Sequence, residues 1–224
     1  MEKSTENEAL AVVLQVRNKR LQVLLWQRAR QPFLGAWALP GGNLGPKETL
    51  EQSIRRHLAA KVDVRELSHL EQLETCSDPA RHPGRRVLAT AYLGLVPADV
   101  DPRVPADTAW HPVEDLPQPA FDHGEIALAG RDRLRAKLSY TNVGFALAPP
   151  SFTIAELRVL YRAALGHDVS ATNLQRVLLR RGLLERTGEH RSPGPAGGRP
   201  AAVFRFRRRR LEVTDPFAVL RPPR

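Results

Sequence analysis

Two consecutive prolines, Pro149-Pro150, constrain this chain more than any other feature: a helix stops there, and the composition changes across them. Of the 224 residues, positions 1–148 hold 19 Lys and Arg against 18 Asp and Glu, a balance of +1, whereas positions 149–224 hold 15 against 6, a balance of +9. A near-neutral part of 148 residues is thus joined to a basic part of 76. Each suits a domain of ordinary size, and the expected division is 1–148 and 149–224. A positive field confined to one part favours a polyanionic partner for that part, although a solvated basic surface has the same composition. The hydrophobic share of 42% supports real cores. No run approaches the roughly 18 apolar residues needed to span a bilayer. The first eight residues, Met1 to Glu8, lack the basic start and apolar stretch of a signal peptide. Cys76 is the only cysteine, which excludes an internal disulfide and a cysteine-rich zinc site. The expectation is a cytoplasmic protein with no membrane partner.

In the first part, Ala9–Val16 and Leu21–Trp26 read as two strands of a hairpin around the polar turn Arg17-Asn18-Lys19-Arg20. A short strand follows in Gly35–Leu39 and stops at the breaker Pro40-Gly41-Gly42. Residues 48–62 read as a helix with Leu50, Ile54 and Leu58 on one face. Val87–Val96 is a further strand, residues 97–119 are proline-rich and read as loop, and Phe121–Leu138 reads as a helix burying Ile126, Leu128, Leu134 and Leu138. In the second part, Thr153 and Glu156 form a capping box. The helix behind it carries Ile154, Leu157, Leu160 and Tyr161 on its apolar face and ends at Gly166. A second helix begins near Ser170 or Ala171 and runs to Arg181, stopped by Gly182. Leu183–Thr187 and Ala201–Arg207 read as strands around a Gly/Pro-rich loop, 188–200. Helix, turn, helix and hairpin in about 60 residues is the order of a winged helix-turn-helix.

The second helix of that pair turns Leu174, Val177 and Leu178 inward, which leaves Thr172, Asn173, Gln175, Arg176 and Arg180 outward. Asn and Gln pair bidentately with adenine and Arg with guanine, while Thr reaches backbone or a thymine methyl. The N-terminal half of a recognition helix does most of the reading, so Thr172, Asn173, Gln175 and Arg176 are candidate base readers, and Arg180 and Arg181 candidate phosphate contacts. Arg199, in the wing loop Gly194–Pro200, is a candidate for a minor groove or a phosphate, and Arg205–Arg210 adds field strength. The same residues would also be unremarkable on a solvated helix, and a helix-turn-helix can serve protein contacts.

Gly42 is followed after five residues by Glu48, and seven more lead to Arg56-His57-Leu58-Ala59-Ala60-Lys61-Val62-Asp63-Val64. With the approach Ala38-Leu39-Pro40-Gly41-Gly42, this resembles the Nudix signature, in which the closing run is Arg-Glu-apolar-x-Glu-Glu-x-Gly-apolar. The three Glu positions of that run hold His57, Ala60 and Lys61 here, and Asp63 stands at the closing Gly. The family's hydrolases hold Mg²⁺ with those carboxylates, and a hard cation needs several charged oxygen ligands. Ala60 supplies none, His57 is a poor ligand for Mg²⁺, and Lys61 brings a positive charge to the metal's place. The reading is a scaffold without metal-dependent cleavage and therefore no enzyme; a displaced metal site using Glu48, Glu51, Glu71 or Glu74 is the alternative. Nucleotide binding survives such a loss. The backbone of Gly41 and Gly42 can approach a diphosphate, Arg28 and Arg30 can pair with phosphate oxygens, and Trp37 or Phe33 can stack on a base. Trp37 suits a core position equally well, and Arg28 and Arg30 suit solvated ones. Glu48 completes the candidate ligand-binding set, and Arg56 reads as structural.

Taken together, the two parts resemble the Nudix-related transcriptional regulators of NAD metabolism (the NrtR family). The residues that carry this likeness in the second part are Phe152-Thr153-Ile154-Ala155-Glu156-Leu157, Asn173-Leu174-Gln175-Arg176, and Gly198-Arg199-Pro200-Ala201 before Phe204-Arg205-Phe206. Phe121-Asp122-His123 with Arg133–Leu138 is similar to the family's linker. The resemblance implies an α+β chain, with an N-terminal Nudix α/β/α sandwich and a C-terminal winged helix-turn-helix domain. It further implies a repressor of NAD synthesis or salvage genes, with no cofactor, ADP-ribose or a related NAD metabolite as effector, and a homodimer on a palindromic double-stranded operator. Two other functions remain open to the same residues: an active hydrolase of ADP-ribose-type substrates with an accessory DNA-binding domain, and an adaptor whose winged helix binds protein.

Overall fold

The computed structural model describes residues 5–192 and 200–215. The chain divides into two compact units: residues 1–15, 21–96 and 100–133 form the first, and residues 16–20, 97–99 and 134–224 the second.

The first unit is built on a sheet. β1 (Glu6–Arg17), β2 (Arg20–Gln27), β3 (Trp37–Ala38), β4 (Gly41–Asn43), α1 (Leu50–Lys61), β5 (His69–Cys76), β6 (Val87–Leu95), β7 (Thr108–Pro112) and α2 (His123–Tyr140) follow in chain order. The sheet runs β3-β2-β1-β6-β5, with β4 against β1 and β7 against β2. β1 and β6 are parallel, in the register Ala11↔Tyr92, and the remaining registered pairs are antiparallel. β1 is central, and its residues from Ala9 to Val16 are all buried, the pattern of a strand covered on both faces. Alternate side chains explain how. Ala9, Ala11 and Val13 pack with Ile54, Leu58 and Val62 of α1 in one core cluster. Val12 points to the other face, where a Cβ at Gly130 of α2 would lie 2.6 Å from Val12 Cγ1. The sheet thus lies between two helices, the α/β/α layering expected.

α1 starts one residue after Thr49, whose hydroxyl accepts from the Gln52 amide at 3.2 Å while the Gln52 side chain accepts from the Thr49 amide at 2.8 Å. It ends where Asp63 takes φ +50°. Asp tolerates that left-handed backbone better than most side chains do, so the box survives without its closing glycine.

Several expectations need correction. Gly41-Gly42 does not break the chain: it continues as β4 in the register Ala9↔Gly42. The segment 97–119 holds β7, which pairs Leu24 with Trp110, and β5 had no counterpart in the sequence reading. Leu128 is only half-buried, and Ala127 takes the buried position on α2.

In the second unit, β8 (Phe152–Thr153), α3 (Ile154–Leu165), α4 (Ala171–Arg180), β9 (Leu184–Arg191) and β10 (Ala201–Phe206) form a helix pair and a three-stranded sheet in the order β8-β10-β9. The third strand was not expected: Phe152 pairs with Phe204, which ties the start of α3 to the wing. β9 also runs four residues further than expected, past Gly188 at φ +86°. Thr153 and Glu156 close a capping box, with the Thr153 amide donating to Glu156 Oε2 at 2.7 Å, and Gly166 ends α3 at φ +78°. Replacing Thr153 with Ala removes the side-chain half of that box. It should cost about 1 kcal/mol of stability, read as a lower urea midpoint with an unchanged slope.

Candidate ligand pocket and nucleic-acid interface

In the first unit a cavity of about 560 Å³ opens beside β1, β4 and α1. Its walls include Arg28, Arg30, Gly41, Gly42, His57 and Lys61. Two glycines let the elements approach. A Cβ at Gly41 would collide with the Ala9 carbonyl oxygen, and one at Gly42 would sit 2.7 Å from His57 Cε1. The pair therefore serves close strand and helix packing, a role that the spacing alone did not reveal.

Of the box positions, Glu48, Arg56, His57 and Lys61 are engaged, whereas Ala60 is exposed. Lys61 is half-buried; its Nζ donates to the Gly41 carbonyl at 2.6 Å and lies 4.4 Å from the centre of the Trp26 ring. Burial, followed by the nearby Arg28 guanidinium, lowers the Lys61 pKa from the usual lysine value. His57 Nε2 lies 3.1 Å from the Asn43 carbonyl, and burial lowers its pKa as well. Arg56 Nη2 is 2.5 Å from Glu48 Oε1, and the Gly45 amide donates to the same oxygen at 2.6 Å. These bonds, that to Arg56 first, hold the Glu48 carboxyl down at about 2. Arg55 takes Glu51 at 3.0 Å, and His69 lies 3.1 Å from Glu71. Among the described residues no group of three or more His, Cys, Asp and Glu side chains is placed to share a metal ion.

The structure brings Arg28, Arg30, Gly41 and Gly42 to one cavity but does not place Glu48 or Trp37 on its walls. Trp37 instead packs edge-on against His111, with ring centres 4.4 Å apart. A residue that the ligand reading passed over, Phe121, supplies an aromatic wall. The Arg28 guanidinium lies 4.6 Å from its ring centre, His82 stacks on it at 5.0 Å, and Phe33 meets its edge at 4.8 Å. Asp122 next to it takes a two-pronged bond from the buried Arg81, at 2.8 and 2.9 Å. Glu8 and Arg85 also line the cavity and pair with each other at 3.4 Å. Such partners lie far apart in sequence, so only the sequence Phe121-Asp122-His123 itself hinted at them.

In the second unit α4 is capped by Ser170 and buries Leu174 and Leu178, while Val177 is half-buried. Thr172, Asn173, Arg176 and Arg180 are exposed and Gln175 is half-exposed, all on the outer side. Arg176 Nη2 donates to Asn173 Oδ1 at 2.8 Å, which couples two of the candidate readers. Arg181 is set apart from them by an ion pair to Asp215 at 3.2 Å. Arg199 lies outside the described residues.

A sheet between two helices with a cation-lined pocket, followed by a basic helix-turn-helix with a wing, defines a ligand-sensing regulator of the one-chain type. Comparison with known proteins gives the family. The NUDIX domain model matches residues 7–129, and the NrtR DNA-binding winged helix domain model matches residues 144–206. The chain is 30% identical over 204 residues to the ADPR responsive transcriptional repressor NtrR of Acinetobacter baylyi, covering 87% of this chain and 79% of that one. It superposes on Shewanella oneidensis NrtR complexed with a 27mer DNA with a TM-score of 0.76 at 32% identity, covering 89% of this chain and 93% of the other. The NUDIX domain of the same Shewanella protein, complexed with ADP ribose, matches at 33% identity and a TM-score of 0.51, covering 59% of this chain and 90% of the other. The chain belongs to the NrtR family of Nudix-related transcriptional regulators.

His123 generates a pH prediction. Its ring is buried, Nδ1 accepts the Leu39 amide at 3.0 Å, and burial pushes its pKa down to about 3. The unfolded chain binds this proton near pH 6.5 and the folded chain only near 3, so the stability contribution is full above 6.5 and falls as pH drops towards 3. Urea midpoints measured from pH 7 to pH 4 should decline. His123→Gln should flatten that decline by up to about 1.4 kcal/mol per pH unit.

Proposed function

We propose that this chain represses genes of NAD biosynthesis or salvage and is released from its operator by ADP-ribose or a related NAD-derived nucleotide. The observation that carries the proposal is the charge of the cavity: Arg28, Arg30, Lys61 and Arg85 line it against the single carboxylate of Glu8. Such walls call for a polyanionic ligand. The relatives' effector and DNA complexes support the same choice.

The residues present do not fit a magnesium site, and no hydrolytic step is assigned to the chain. Glu48 is committed to Arg56 and Gly45, Glu51 to Arg55, and the Gly41 carbonyl to an ammonium. Hard cations need such oxygens free. Formation of AMP and ribose 5-phosphate from ADP-ribose with Mg²⁺ should stay at the uncatalysed level.

On the DNA side, Thr172, Asn173, Gln175 and Arg176 read bases, Arg180 holds phosphate, and a homodimer sets two α4 helices about one turn apart on a palindromic operator. The functional border between sensor and reader is placed at 148/149, at the proline pair. Arg181 contributes to the field more than to contact, because Asp215 holds it. Affinity then couples to the effector by linkage: a nucleotide that prefers the DNA-incompetent arrangement releases DNA in proportion to that preference. In a gel-shift titration on the promoter of NAD-synthesis genes, ADP-ribose should weaken binding, and no change up to millimolar effector would overturn the proposal. Arg176→Ala should cost about 1–3 kcal/mol of operator affinity and relax preference at one position.

A further inference from the structure

Four basic groups converge on one cavity that a single carboxylate, Glu8, lines. Lys61 Nζ is 2.6 Å from the Gly41 carbonyl oxygen, on the Trp26 face, and it shares the walls with Arg28, Arg30 and Arg85. Arg85 is neutralised locally by Glu6 and Glu8. Arg28 is spent partly on the Pro32 carbonyl at 2.9 Å and on the Phe121 ring. Lys61 has no carboxylate within ion-pair distance among the described residues; a carbonyl and a ring face meet its charge directly, and Glu8 favours it only from further off. Burial and the neighbouring guanidinium both disfavour that charge. A half-buried ammonium among other cations is an electrostatic deficit that a diphosphate would relieve.

We propose that Lys61 is an internal counter-ion for the ligand's diphosphate, so that this pocket binds its nucleotide without any divalent metal. The ammonium takes the carbonyl oxygen that a hard cation would use and presents its remaining N–H donors to the cavity. It does by hydrogen bonding and charge what a bridging metal does by coordination. Nζ is bonded to the Gly41 carbonyl on the wall of the cavity that Gly42 and His57 also line. The consequence is a sensor whose response follows nucleotide concentration alone, whatever the free magnesium. The inference rests on the nucleotide-sensing reading above and adds the atom that holds the phosphates.

Isothermal titration of the full-length protein with ADP-ribose and, separately, with ADP tests it, in 1 mM EDTA and in 5 mM Mg²⁺ (roughly the range that strips or saturates a weak divalent site). The expected result is a dissociation constant equal within about two-fold in the two buffers. In EDTA, Lys61→Gln should weaken binding at least about ten-fold, Lys61→Arg should lose much less, and the weakening should shrink as salt rises. A Kd tightened about ten-fold or more by Mg²⁺, or a Lys61→Gln protein that binds as tightly as wild type, overturns the inference while leaving nucleotide sensing intact. Binding of ADP but not ADP-ribose in EDTA supports the metal-free site and removes the choice of effector. Binding of neither nucleotide in either buffer overturns both. The wild-type comparison between buffers needs no variant, so it stands even if Lys61→Gln fails to fold.

Discussion

One ammonium decides the charge of the cavity beside β4 and α1. With a carboxylate at position 61, the helix would present negative charge to the cavity beside Gly41 and Gly42. With Lys61 there, the carbonyl of Gly41 becomes an acceptor for an N–H donor, Trp26 supplies a π face, and the charge of the wall changes sign. The rest of the box follows. Glu48 is bonded by Arg56 and the Gly45 amide and braces the loop before α1. His57 packs on Gly42 and faces the Asn43 carbonyl, where a neutral ring suffices.

The opposite wall is held by a different device. Arg81 is almost wholly buried, and its charge is tolerable because Asp122 takes it with two bonds, while Glu8 lies 3.9 Å away. The two bonds anchor Asp122, and with it the chain between Phe121 and His123, to the segment that carries Arg81. His123 then caps the Leu39 amide with a neutral nitrogen, and Phe121 collects Arg28, His82 and Phe33 around its ring. Pocket shape is thus supported from beneath by charge pairs and at the surface by ring contacts.

Much of the fold was legible because periodicity is local. The four-residue spacing of Leu50, Ile54 and Leu58 and the apolar run of β1 each report one element's own burial. The Thr153–Glu156 box and Gly166 mark the ends of α3 in the same way. The elements that escaped notice are those whose sequences carry no such period. β5 alternates too weakly, with one buried residue among its eight. β7 hides among prolines, and β8 is two residues long. They are strands only because a neighbouring strand offers unpaired amides and carbonyls at the right register.

The sequence by itself determined the two-part plan, the segregation of positive charge into the second part, the outward set on α4, and the loss of carboxylates from the box. All of these follow from composition or from residues within a few positions of one another. Tertiary structure alone decided which groups meet. Lys61 finds a carbonyl 20 residues earlier, Arg81 a carboxylate 41 residues later, and Arg181 is drawn 34 residues away to Asp215. Glu48 and Trp37 leave the pocket, and Phe121 enters it. The physical reason is that a side chain's partner across the fold is set by strand register and helix packing, which depend on the whole core at once, whereas its tendency to be buried or exposed is already written in its near neighbours.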